Sequence, residues 1–164
     1  MILYHGSNVE IENVDLNKTR KGKDFGKGFY LSADYKQAIK FAHNVVAREG
    51  CGVPIVTAFY LNDDIFDSLS IKKFDSYSKE WAKFILENRN NRAETATHSY
   101  DMVIGPIVDD RVGTQIRLLM QGYISLDSFL EKIQYTEITF QYFLGTEDAI
   151  KYLKKLWDHR INNF

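Results

Sequence analysis

Short extended apolar runs alternate along the chain with stretches of helical period. Residues 2–5 read as a first strand ending at Gly6-Ser7, residues 15–28 as a loop rich in Lys and Gly, and residues 29–32 as a second, aromatic strand. Ala38, Ile39, Phe41, Ala42, Val45 and Val46 follow the candidate N-caps Ser32 and Asp34, which predicts a helix over about 34–48, ended by Gly50 and Gly52. The β-branched and aromatic run from Val53 to Leu61 predicts a buried strand. Trp81, Phe84, Ile85 and Leu86 predict a helix over residues 77–89, and the polar stretch through Asn88, Asn90, Asn91 and Thr97 a surface loop. A strand is expected over 101–107, stopped at Gly105-Pro106, then helices over roughly 110–121 and 126–133 and a strand over 137–144 with Gln141 inside it. Thr146-Glu147-Asp148 reads as the cap of a last helix with Ala149, Ile150, Leu153, Leu156 and Trp157 on its apolar face. Strands and helices do not alternate regularly, so the pattern favours an α+β arrangement over a doubly wound parallel sheet.

Composition narrows the class. With 164 residues, 45% hydrophobic and 14% aromatic, no repeat and no low-complexity linker, the chain reads as one globular domain over 1–164. Its 21 Lys plus Arg against 22 Asp plus Glu exclude a binder driven by overall positive charge; a nucleic-acid partner would have to be met by a local patch. Cys51 is the single cysteine and has no zinc-ligand spacing around it, so a disulfide framework and a structural zinc site are both excluded. No stretch approaches 18 consecutive apolar residues and no charged leader precedes the first strand, so the expectation is a cytoplasmic protein without a membrane partner. The absence of G-x-G-x-x-G and P-loop sequences argues against a Rossmann dehydrogenase and a P-loop NTPase.

Polar side chains inside apolar strands are the first candidates for chemistry, because a buried strand gains nothing from them unless they are paired or used. His5 ends the first strand, Tyr30 lies in the second and Gln141 interrupts the late one. Each alone has an ordinary structural reading. Together they suit a flat cationic ring attached to a ribose: an imidazole bonds ribose hydroxyls, a tyrosine face stacks on the ring, and an amide holds a 2'-hydroxyl. Gly6 leaves the neighbouring backbone open to pair with a carboxamide.

Tyr4-His5-Gly6-Ser7, then Asp24-Phe25-Gly26-Lys27-Gly28-Phe29-Tyr30-Leu31-Ser32, then Phe41, resemble the NAD-binding core of ADP-ribosyltransferases of the diphtheria-toxin and poly-ADP-ribose-polymerase type. With the Tyr100-to-Asp110 segment and Gln141, they resemble more closely DUF3990, a bacterial family of unknown function placed in that superfamily; the likeness runs from residue 3 to about 155. The resemblance implies a split two-sheet core with flanking helices and NAD as substrate without a metal. His5 would bind the ribose, Gly6 the carboxamide, and Tyr30 and Phe41 the two nicotinamide faces, with Ser7 and Ser32 in the same cofactor-binding set. His5, Tyr30 and Gln141 would form the catalytic triad. Gln141 stands where such transferases generally carry a glutamate, and Thr139 where arginine-modifying members carry an extra acid, which argues against arginine as acceptor.

The implied reaction is nicotinamide loss through an oxocarbenium-like transition state and transfer of ADP-ribose to a protein or nucleic-acid target, by the toxin of a toxin–antitoxin pair with a small antitoxin protein as partner. The alternatives are a catalytically weak module that binds NAD or ADP-ribose, and an NAD glycohydrolase. Lys18, Arg20, Lys21, Lys23 and Lys27, against Asp24 alone, make a basic loop suited to pyrophosphate or to target phosphates, or a solvated loop. Lys151, Lys154, Lys155, His159 and Arg160 are expected on the solvent face of the last helix, and Glu137, Glu147, Asp109 and Asp110 are candidates for a base.

Overall fold

A computed structural model describes residues 1–162. Its strands are β1 (Ile2–Ser7), β2 (Phe29–Ser32), β3 (Ile55–Leu61), β4 (Ile71–Lys73), β5 (Met102–Pro106), β6 (Phe140–Leu144) and β7 (Leu153–Arg160). The helices among the described residues are α1 (Tyr35–Glu49), α2 (Ile65–Ser68), α3 (Lys79–Asn90), α4 (Asp110–Met120), α5 (Leu126–Ile133) and α6 (Glu147–Ile150). The fold is mixed α+β, with one seven-stranded sheet in the order β4-β5-β6-β2-β1-β3-β7. Every neighbouring pair is antiparallel except β4 with β5.

The expected split into two sheets is replaced by a continuous sheet with a weak seam. β1 and β3 pair at six positions, and β2 and β6 at four, yet β1 and β2 meet in register only at Tyr4↔Ser32. Beyond that pair a side chain takes over from the ladder: His5 Nδ1 lies 2.7 Å from the Tyr30 carbonyl.

Alternation along the strands divides the apolar residues between the two faces. Val103 and Phe143 enter a core with Phe25, Trp81, Ile85, Val112, Ile116, Phe129 and Ile133, so this face is covered by α3, α4 and α5. Met102, Ile104 and Leu144 enter the other core with Leu3, Leu31, Phe59, Ile65 and Ala149. α1 starts where expected, with Asp34 Oδ1 accepting from Lys36 N–H at 2.8 Å, and ends at Gly50 in the left-handed conformation (φ 67°). It lies hard against β1. A Cβ on Gly6 would sit 2.2 Å from the Ala38 carbonyl oxygen, so only glycine permits this approach.

The last expected helix is corrected. It stops at Ile150, and Leu153–Arg160 forms a strand along β3, bulged between Ala58 and Phe59. The apolar spacing there fits a helix, but β3 would otherwise leave an open row of backbone donors and acceptors, and pairing satisfies them. Leu156 and Trp157, expected on a buried helical face, are exposed. The short elements α2 and β4 do not emerge from the pattern: four residues show no period, and Ile71-Lys72-Lys73 is mostly polar. Among the described residues, no helix is long and apolar enough to cross a membrane.

Candidate functional site

The seam between β1 and β2 opens into a cleft of about 270 Å³. His5 and Gly6 reach it from β1, Tyr30 and Ser32 from β2, Phe41 from α1 and Gln141 from β6. Their convergence follows from the register. Ser32 is opposite Gln141, and Tyr30 is opposite Phe143, so the side chains of Tyr30, Ser32 and Gln141 share one face. Ser7 is the exception. It lies in an adjoining groove of about 610 Å³, with its Oγ accepting from Val9 N–H at 3.3 Å. Cleft and groove are continuous through His5, Gly6, Lys23, Tyr30, Phe41 and Arg48, which line both.

His5 is held in one tautomer. Its Nδ1 faces a carbonyl, which only accepts, so Nδ1 carries the proton and Nε2 keeps its lone pair. Its ring stacks on Phe29 with centroids 4.3 Å apart. Burial outweighs the hydrogen bond to Tyr30 and, with the nearby Lys23, pulls its pKa from 6.5 to about 4, so the ring is neutral at pH 7. The site therefore offers an acceptor from a rigid imidazole.

The hydroxyl of Tyr30 donates to the Gly26 carbonyl at 2.7 Å and accepts from Phe25 N–H at 3.0 Å. Burial raises its pKa well above the usual tyrosine value. Gly26 makes this turn possible with φ 100°, a conformation that L-residues rarely adopt. Against the Tyr30 ring stands Lys23, its Nζ 5.1 Å from the centroid. Burial lowers the pKa of that ammonium, the nearby Arg48 adding to the effect. Across the cleft Phe41 is 44% exposed, too much for a core aromatic.

Gln141 is 9% exposed, and its Nε2 donates to Asp24 Oδ2 at 3.2 Å. The other oxygen of Asp24 accepts a hydrogen bond from Arg89 Nε at 2.7 Å and lies 2.6 Å from a terminal nitrogen of the same guanidinium in an ion pair. Asp24 and Arg89 both line the cleft, whereas Glu137, Glu147, Asp109 and Asp110 do not. Asp109 caps α4, and Asp110 pairs with Lys40.

Asp24, Arg89 and Arg48 line the cleft without being singled out by sequence reasoning, and Lys23, expected in a basic loop suited to phosphates, lies over the Tyr30 ring. Asp24 carries a usable signal, as the lone acid of a basic loop inside the Asp-Phe-Gly-Lys-Gly-Phe-Tyr run; Arg89, on α3, carries none. The loop itself is less bare than its composition suggests. Lys18 pairs with Asp15, Arg20 with Glu49 and Lys21 with Glu94, so much of its charge is met by acids brought from outside the 18–27 stretch. In the second basic cluster, Lys155 pairs with Glu12 and Asp158, and Arg160 with Glu10, on β7 rather than on a helix. Those three acids come within 4.8 Å of one another, and each is already paired with one of the two cations.

A comparison with curated proteins finds no match. A family profile described as "Protein of unknown function (DUF3990)" matches residues 1–155, which include every strand and helix that borders the cleft. On the strength of that match across nearly the whole chain, the protein belongs to the DUF3990 family.

Proposed function

We propose that the protein is an NAD-dependent mono-ADP-ribosyltransferase. The observation that carries this reading is the convergence of His5, Gly6, Tyr30, Ser32, Phe41 and Gln141, from four separate stretches of sequence, on one cleft. A nicotinamide ring fits between Tyr30 and Phe41, where an aromatic face already attracts the Lys23 ammonium; a pyridinium brings the same charge in a flat shape. The adjoining groove gives the rest of a dinucleotide a continuous path, with Arg48 at the junction for a phosphate.

His5 Nε2 accepts a hydrogen bond from a ribose hydroxyl, and the locked tautomer prevents it from donating there instead. The bond between the anomeric carbon and the pyridinium nitrogen breaks, and its electron pair leaves with neutral nicotinamide. A lone pair on the acceptor nucleophile closes on the resulting oxocarbenium ion, and the proton of the nucleophile passes to solvent. Tyr30 and Phe41 exclude water from the departing ring, while Gln141 orients the ribose.

The test uses NAD labelled on the adenylate half, with cell lysate as the source of acceptor. Release of nicotinamide with label retained on macromolecules is expected; the absence of both would refute the reading. A second reading, an NAD-binding module without turnover, is favoured by one feature, the amide of Gln141 in place of a carboxylate. It predicts NAD affinity with no nicotinamide release.

A further inference from the structure

The Gln141 amide has a defined orientation, and Asp24 sets it. A carboxylate only accepts, so the group of Gln141 that faces Asp24 Oδ2 must be its NH₂. The carbonyl Oε1 is thereby the free end. It accepts no hydrogen bond from any described residue, although the side chain is nearly buried and lines the cleft. Asp24 is itself held: both Arg89 nitrogens bind Oδ1, leaving Oδ2 for Gln141. The result is a chain of directed contacts from Arg89 through Asp24 to Gln141 that ends in an acceptor oxygen at the cleft.

We propose that Asp24 is a positioning residue for the reaction, and that the Asp24–Gln141 pair takes the part that a single glutamate would play. Asp24 presents Oε1 of Gln141 to the ribose 2'-hydroxyl and polarises the amide, because hydrogen bonding of its NH₂ to an anion draws electron density onto the carbonyl. It also keeps a formal negative charge 3.2 Å behind the amide, where it adds to the field acting on a cation that develops at the ribose. This inference rests on the transferase reading for its chemistry, but the pairing is measurable without turnover.

The geometry makes a swap informative. Gln141→Glu alone sets two carboxylates at hydrogen-bond distance with no donor between them, so it should lower both stability and activity although it installs the expected acid. In Asp24→Asn alone the Arg89 donors hold the carbonyl oxygen of the introduced amide, so its NH₂ faces Gln141, which must flip to accept and then points its own NH₂ at the cleft, with an expected loss in nicotinamide release of about tenfold to a hundredfold. When Asp24→Asn is combined with Gln141→Glu, the carbonyl oxygen of the introduced amide can still accept from Arg89 while its NH₂ donates to the new carboxylate. Both contacts then survive, the second with its direction reversed.

The experiment is the full cycle of four proteins, with nicotinamide release, NAD affinity by calorimetry and thermal unfolding measured on each. Expected are low activity in both single variants, recovery to at least the wild-type rate in the double variant, and a melting temperature of the double variant above that of Gln141→Glu. An increase in activity in Gln141→Glu alone, or a double variant no better than Asp24→Asn, would overturn the proposal. So would additive changes in melting temperature, whatever the activity. A wild type that releases no nicotinamide, with the unfolding data still strongly non-additive and NAD affinity following the same pattern, refutes turnover and upholds the positioning role of Asp24.

Discussion

The side chain of His5 closes the seam of the sheet by giving its Nδ1 proton to the Tyr30 carbonyl at 2.7 Å. Where β1 and β2 no longer pair through their backbones, this contact keeps two catalytic candidates from neighbouring strands at fixed separation. It also ties the site to pH.

With its pKa pulled from 6.5 to about 4 by burial, His5 takes up a proton more readily in the unfolded chain than in the folded one. Between those values the unfolded state binds more protons, so stability rises with pH. The contribution is complete above pH 6.5 and is lost as pH falls through about 4. Replacing His5 with Gln should flatten this dependence by about 2 kcal/mol between pH 7 and pH 5, part of the roughly 3.4 kcal/mol equivalent to the whole shift. Urea unfolding of both proteins near pH 7 and near pH 5 measures it; equal pH slopes would show that His5 does not titrate this way.

Phe41 and Tyr30 should separate cleanly. Phe41 is 44% exposed, so Phe41→Ala should change stability by less than about 1 kcal/mol while weakening NAD binding about tenfold, the worth of a lost aromatic stack. The hydroxyl of Tyr30 ties down the Gly26 turn, so Tyr30→Phe should lower stability by about 1–2 kcal/mol with a smaller effect on affinity. Calorimetric titration and thermal unfolding together check both. A Phe41→Ala protein that binds NAD like wild type would remove Phe41 from the site.

Lys23 competes with any cationic ring for the Tyr30 face. A cation over an aromatic ring is worth about 0.5–1 kcal/mol in a partly exposed setting, so Lys23→Met should tighten binding of the 1-methylnicotinamide cation several-fold. This probe carries the pyridinium charge without phosphates and isolates the contest for the ring. Fluorescence titration reads the change, and weaker binding in the variant would mean that the ammonium assists the ligand.

Gly6 has a structural duty apart from any ligand. In Gly6→Ala the new methyl group would meet the Ala38 carbonyl oxygen at 2.2 Å and the Ala42 nitrogen at 2.7 Å. Both atoms belong to the helix backbone, so α1 must move away from β1, at an expected cost of about 1–3 kcal/mol. A thermal melt matching that of wild type would show that α1 shifts freely.

Much of this architecture is legible as local pattern. The spacing from Ala38 to Val46 and the Asp34 cap specify α1, and the Ile55-to-Leu61 run specifies β3, because period and capping depend only on neighbours in the chain. The same is true of the ordered motifs around His5, Tyr30, Phe41 and Gln141, which mark a family signature wherever the strands fall.

Pairing between distant segments is not legible. Leu153–Arg160 reads as a helix until β3 offers it a ladder, and the two sheets implied by the resemblance are one sheet, joined at Tyr4 and Ser32. Asp24 is an isolated loop acid in the sequence, and only the fold brings it to Arg89, 65 positions away, and to Gln141, 117 positions away. Periodicity and motifs thus determined most of the elements and the set of candidate ligand-binding residues. Tertiary structure decided which charges meet which partners, because a buried carboxylate or amide is committed by the donors and acceptors that packing brings to it, whatever their distance along the chain.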